Sequence, residues 1–93
     1  MIRSFRDKRT VALFAGYAVK SLDRRLQDPA REKIAMTHAT TRIEDLRAPP
    51  GNRLELLSGD RAGQWSIRVN ERWRICFRWE ERDAHDVEFV DYH

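Results

Sequence analysis

Gln64-Trp65-Ser66-Ile67-Arg68-Val69-Asn70-Glu71-Arg72-Trp73-Arg74-Ile75-Cys76-Phe77-Arg78-Trp79 is the stretch that decides the fold. Apolar side chains recur at every second residue in Trp65/Ile67/Val69 and again in Trp73/Ile75/Phe77/Trp79. A period of two is that of a strand with one buried face. The break at Asn70–Arg72 supplies a turn former, so the two runs predict a hairpin. Working outward, Leu54/Leu56 precedes it across Ser58–Gly63, and Val87/Phe89 follows it across Glu80–Asp86. Four alternating runs separated by turn-forming residues predict an antiparallel meander.

The N-terminal half has a different period. Met1–Phe5 alternates and predicts a short first strand. After Asp7, the residues Val11, Phe14, Ala15 and Ala18 recur at helical spacing and predict one apolar stripe, weakened by Gly16. Asp28-Pro29 predicts the start of a second helix, with an N-cap acceptor followed by proline at the first helical position, and Ala30, Ile34 and His38 along one face. Thr41-Arg42-Ile43-Glu44 has capping-box spacing and predicts a short third helix that Pro49-Pro50-Gly51 ends. Helices first and strands last make an α+β domain, with the first strand and the helices packed on one face of a mainly antiparallel sheet. The 93 residues form a single domain, 1–93. That length excludes a multidomain enzyme and any dinucleotide fold built from two halves.

Charge divides the chain unevenly. Residues 1–79 hold seventeen basic and nine acidic side chains, whereas residues 80–93 hold one and six. Fifteen of the eighteen cations are arginine, whose planar guanidinium bonds phosphate in a bidentate way. A polyanion is the partner this predicts; a solvated surface of ordinary ion pairs is the alternative. The lone Cys76 cannot form an internal disulfide, and no apolar run approaches the ~18 residues of a membrane span. The cytoplasm is the expected compartment, with no membrane association.

Strand parity gathers the cations. If Trp73, Ile75, Phe77 and Trp79 face the helices, then Arg74, Cys76 and Arg78 face the other way, joined by Ser66 and Arg68, by Arg53, Glu55 and Leu57, and by Glu88, Val90 and Tyr92. Arg53, Arg68, Arg74 and Arg78 beside a tyrosine is the combination that holds single-stranded nucleic acid. Cross-strand ion pairs with Glu55 and Glu88 would explain one arginine more easily than four. His38, His85 and His93 have no metal-ligand spacing, and no cofactor or metal is expected. Cys76 reads as a small strand residue rather than a nucleophile. His93 follows the last strand without a spacer, and an imidazole titrates where proton transfer is useful.

Several of these pieces together resemble a known family. Asn52-Arg53-Leu54-Glu55, Gly59-Asp60-Arg61-Ala62-Gly63-Gln64-Trp65, Trp73-Arg74-Ile75-Cys76-Phe77-Arg78-Trp79 and Asp91-Tyr92-His93, in this order, resemble the HigB toxins of the RelE/ParE superfamily, and the likeness covers essentially the whole chain. The resemblance implies the RelE-like microbial RNase toxin fold and the toxin of a type II toxin–antitoxin system. Such a toxin is a ribosome-dependent, metal-independent mRNA endonuclease in which the substrate 2′-OH attacks the adjacent phosphorus. Its implied partners are the ribosome with its mRNA and a HigA-like helix-turn-helix antitoxin, through which alone it meets operator DNA.

By the same resemblance, Arg74 matches the phosphate-stabilising arginine, and Asp91, Tyr92 and His93 match the C-terminal catalytic group. His93 would transfer protons, Tyr92 would stack on or orient the base, and Asp91 would orient His93 or help shape the site. Arg53, Arg68 and Arg78 would contact RNA or ribosome. Some members carry histidine where this chain has Glu55 and lysine where it has Ser58, so either Glu55 is the base or catalysis leans on Arg74 and the ribosome. Competing readings are a toxin of the same fold that acts by binding, as the gyrase-poisoning branch does, and an inactive RNA-binding relative.

Overall fold

The side chain of Asn70 closes the central hairpin. Its Oδ1 accepts hydrogen bonds from the backbone N–H groups of Arg72 at 2.8 Å and Trp73 at 2.9 Å, standing in for a backbone carbonyl. The computed structural model describes residues 1–92. It pairs β2 (Gln64–Arg68) with β3 (Trp73–Glu80), Ile67 opposite Ile75 and Arg68 opposite Arg74. A two-residue β1 (Glu55–Leu56) lies outside β2, and β4 (Asp83–Asp91) lies outside β3, so the antiparallel order is β1-β2-β3-β4. The predicted α+β meander is what forms.

β4 starts earlier than the alternation predicted. The turn read as Glu80–Asp86 is only Glu81 and Arg82, because Glu80 already pairs with Asp83. The polar residues that resemble a loop each have a partner. Asp83 accepts from Arg3 Nε at 3.0 Å and lies 3.4 Å from the N-terminal ammonium. Asp86 sits where the register shifts between Cys76 and Arg78, with φ 53°, and accepts from Arg78 Nε at 2.8 Å. That bond holds the Asp86 carboxyl below its ordinary range, burial opposing it.

The outer edge of β4 is covered from Ala84 to Phe89. The segment Met1–Arg6 runs parallel to it, bridging at Ile2–Ala84 and Phe5–Val87 rather than forming a continuous ladder. Arg3 and Arg6 donate their backbone N–H groups to the carbonyls of Ala84 and Val87, and Ser4 Oγ accepts from Asp86 N. Where that segment ends, α1 (Lys8–Ala15) takes over: Thr10 Oγ1 accepts from Phe89 N at 3.0 Å, and Arg9 Nη2 donates to Phe89 O at 2.8 Å. An edge strand left bare would present a row of unpaired backbone groups.

These contacts rotate α1 away from the predicted stripe. Asp7 caps it, accepting from Thr10 N at 2.7 Å, but the buried residues are Thr10 and Leu13, while Val11 and Phe14 are 43% and 39% exposed. The helix ends at Ala15 against a left-handed Gly16, short of Ala18.

α2 (Arg24–Ala39) also departs from its prediction, being capped by Asp23 with Pro29 inside it. The earlier start buries Leu26 and Gln27, and the Gln27 amide bonds Val19 N, Val19 O and Leu22 O. Those bonds outweigh the one that proline withholds from the carbonyl four residues back. Ala30 and Ile34 are buried as predicted; His38 lies at the side, its Nδ1 accepting from Ile2 N at 3.0 Å. The third helix is a 3-10 turn, Ile43–Arg47, entered at Arg42 with no side-chain cap, so the Thr41–Glu44 capping box does not form.

The inner sheet face, Ile67, Ile75, Phe77, Val87 and Phe89, packs on Leu13, Leu26, Ala30, Ile34 and Leu46. Leu54 joins this core, but Leu56, predicted to follow it, is 59% exposed on the short outer strand. On the opposite face Leu57, Cys76 and Val90 form a second, smaller apolar cluster. No helix among the described residues is long and apolar enough to cross a membrane.

Thr10→Val should destabilise the protein by about 1–3 kcal/mol, because the buried Phe89 N–H loses its acceptor. Val11→Ala should change stability by less than about 0.5 kcal/mol. Urea unfolding of both variants checks the ranking, and the reverse order would reinstate the Val11/Phe14 stripe.

Candidate functional site

The outer face is assembled by register. Arg68 and Arg74 are cross-strand partners, Arg74 also faces Val90, and Tyr92 follows Val90 by one strand repeat. Arg53 comes from a different device. Asn52 is fully buried, with its Nδ2 donating to Leu46 O at 3.0 Å and its Oδ1 accepting from Lys33 Nζ at 2.5 Å. This anchors the loop to α2 and leaves Arg53 in the left-handed region, φ 44°. Its carbonyl then accepts from Arg74 Nη2 at 2.7 Å.

Arg74 is the most constrained cation of the group, its side chain only 12% exposed. Nη1 lies 2.9 Å from Glu55 Oε1, Nη2 is held by Arg53, and the guanidinium carbon sits 5.8 Å from the Tyr92 ring centroid. Its Nε is buried without a hydrogen-bond partner. Beside it opens a hollow of about 230 Å³ lined by Arg53, Arg68, Asn70, Glu71, Arg74 and Tyr92. Tyr92 also walls a second hollow of about 340 Å³, with Ser58, Asp60, Arg61 and Asp91. Three guanidinium groups against an aromatic wall suit a ligand carrying both an anion and a planar ring.

The residues singled out from the sequence do not all meet. Arg53, Arg68, Arg74 and Tyr92 share the first hollow. Arg78 faces the same side, but four residues further along β3, roughly 13 Å at strand rise, where it pairs with Asp86 at 2.8 Å and Glu80 at 2.6 Å. Glu55 is the ion partner of Arg74. Asp91 lies beside the second hollow and accepts from Arg72 Nη2 at 2.6 Å. His93 lies outside the described residues.

Asn70, Glu71 and Arg61 were not singled out as site residues. The first two belong to the hairpin turn, where alternation carries no information about facing. Arg61 sits in the Gly59–Arg61 turn and reaches Gln64 at 3.0 Å and Glu88 at 3.2 Å. Among the described residues no group of three or more His, Cys, Asp or Glu could hold a metal ion.

A model of the HigB-like toxin family, described as a RelE-like toxin of the type II toxin–antitoxin system HigB, matches residues 3–93. The chain belongs to this family. Its relatives include a Proteus vulgaris protein named Endoribonuclease HigB, 32% identical over 93 residues that span the whole of both chains. Another is Toxin HigB-1 of Vibrio cholerae serotype O1, 47% identical over 61 residues, which cover 66% of this chain and 63% of that one. As a HigB-like toxin of a type II system, the protein has an antitoxin partner. The two helices beside a four-stranded antiparallel sheet agree with the RelE-like fold.

Cys76 lies under the site, fully buried between Leu57 and Val90, and burial pushes its thiol up to about 11. It should therefore resist iodoacetamide in the folded protein at pH 8 and react after denaturation. Mass spectrometry reads the adduct, and rapid native labelling would contradict a buried thiol.

Proposed function

We propose that this HigB-like toxin is an endoribonuclease that cuts mRNA on the ribosome, and that the chemistry occurs at the Arg74 hollow. The observation that carries this reading is the grouping of Arg53, Arg68 and Arg74 around one hollow with Tyr92 as its wall. The name of the full-length Proteus vulgaris relative supports RNA as the substrate. The largely arginine basic body supports a polyanionic docking partner such as the ribosome.

The substrate's 2′-oxygen attacks the adjacent phosphorus as the bond to the 5′-oxygen breaks, giving a 2′,3′-cyclic phosphate and a 5′-hydroxyl. The nucleophile is the substrate's own, so the step uses no protein nucleophile, and in this reading guanidinium groups take the charge-stabilising place of a metal. Negative charge grows on the phosphorane oxygens, and Arg74 is aimed to meet it. A phosphate entering the hollow takes the Nη1 position that Glu55 holds in the free protein. The displaced carboxylate accepts the 2′-OH proton, and His93 gives a proton to the leaving 5′-oxygen, oriented by Asp91. Tyr92 stacks on the base, while Arg53 and Arg68 bind flanking phosphates. Arg78, already paired twice, contributes at most to ribosome contact.

Arg74→Ala should lower cleavage at least about 100-fold, and Glu55→Gln, which keeps the shape and removes the accepting charge, by about 100-fold. Primer extension of translated and untranslated message, with melting curves as a folding control, measures both. Normal cleavage by Glu55→Gln would reduce Glu55 to an ion partner of Arg74. Equal cleavage of naked and translated RNA would remove the ribosome, and growth arrest with intact mRNA would remove the nuclease reading.

A further inference from the structure

Two arginine–glutamate pairs stand at opposite ends of one row across the outer face of the sheet. The register lines up Glu55, Ser66, Cys76 and Glu88 from β1 to β4, with Ser66 and Cys76 fully buried in the middle. Arg74 takes Glu55 at 2.9 Å, and Arg61, from the turn before β2, takes Glu88 at 3.2 Å. These four side chains are the charges that act on the Cys76 thiol, so both pairs border the same apolar floor. Three strand spacings, roughly 14 Å, separate the ends of the row, which points each arginine to a different anion.

Arg74 borders the first hollow and Arg61 the second, and Tyr92 is the wall that the two share. Arg61 is the one cation among the residues lining the second hollow, and its guanidinium is only half committed. Its bonds to Glu88 at 3.2 Å and to Gln64 at 3.0 Å both leave from Nη1. Among the described residues its Nε and Nη2 have no hydrogen bond, and neither is buried. A guanidinium serving only to latch a carboxylate would turn two nitrogens to it. This one keeps a complete edge, two parallel N–H groups, for an oxyanion. Asp60 and Asp91, which line the same hollow, confine such an anion to the Arg61 side.

We propose that Arg61 is a further phosphate-binding residue for the RNA, holding through its Nε–Nη2 edge a backbone phosphate on the far side of Tyr92 from Arg74. The inference rests on the RNA site assigned to the Arg74 hollow and extends it. The strand crosses Tyr92, whose ring meets a base, and is gripped by an arginine on each side. Glu88 stays on Nη1, where it orients Arg61 and tempers its attraction for the phosphate.

The test uses ribosomes programmed with a message that carries 2′-deoxyribose at the mapped cut site, so that it is bound but not cut. The two phosphates on either side of the cut are replaced one at a time by neutral methylphosphonate, and fluorescence anisotropy of the labelled full chain reads affinity. One of these replacements should weaken binding of the unaltered toxin about tenfold. The same replacement should weaken Arg61→Gln by less than about twofold further, because the contact is already gone. Glu88→Gln should bind at least about twofold more tightly, since the phosphate then meets a cation without a competing charge; a latch that merely fixes the turn predicts weaker binding instead. Melting curves check that both variants fold. Absence of any phosphate coupled to Arg61, or weaker binding by folded Glu88→Gln, would overturn the proposal. Arg74→Ala separates the two levels: if it weakens binding and Arg61→Gln does not, the RNA site stands and Arg61 is removed from it. If neither variant matters, the Arg74 hollow is not the RNA site, and both proposals fall.

Discussion

The outer edge of β4 is the constraint on which the rest of the molecule depends. Its backbone groups need partners, and the chain supplies them from its own first ten residues, more than seventy positions away. Met1–Arg6 covers the first part and Thr10 with Arg9 the second. Directing Thr10 to Phe89 N sets the rotation of α1, which buries Leu13 and leaves Val11 and Phe14 outside. One hydrogen bond at a strand edge thus decides which apolar residues form core and which form surface.

The two faces of the sheet divide the labour. The inner face is closed by the helices, and the outer face carries a small apolar floor of Leu57, Cys76 and Val90 with polar side chains along its rim. Because β4 must pair with β3 and with the N-terminal segment at once, its bulge at Asp86 lets polar residues near the second hairpin coexist with a buried Val87. The same bulge draws Arg78 to Asp86, leaving Arg53, Arg68 and Arg74 as the cations around the first hollow.

Features with a local cause were legible in the sequence. Alternation placed Ile67, Ile75, Phe77, Val87 and Phe89 inward, and put Arg68, Arg74 and Tyr92 on the opposite face. Features decided by distant partners were not. Nothing near Thr10 announces the backbone N–H it meets, so local spacing alone points to a stripe through Val11 and Phe14. Asp28-Pro29 is a stronger local start signal than Asp23, yet Gln27 is needed to satisfy the loop before α2. At the site, parity gives the facing of Arg78 but not its position along the strand, and it says nothing of Asn70 and Glu71 in a turn.

The bonds around Arg74 have a consequence for binding. A free arginine side chain carries about 2 kcal/mol of rotamer entropy, which a ligand that orders it must overcome. Here the Arg53 carbonyl, the Glu55 carboxylate and the Tyr92 ring select the conformation during folding. An incoming anion meets a guanidinium whose orientation is already chosen, and the main cost of engaging it is exchange with one half-exposed carboxylate.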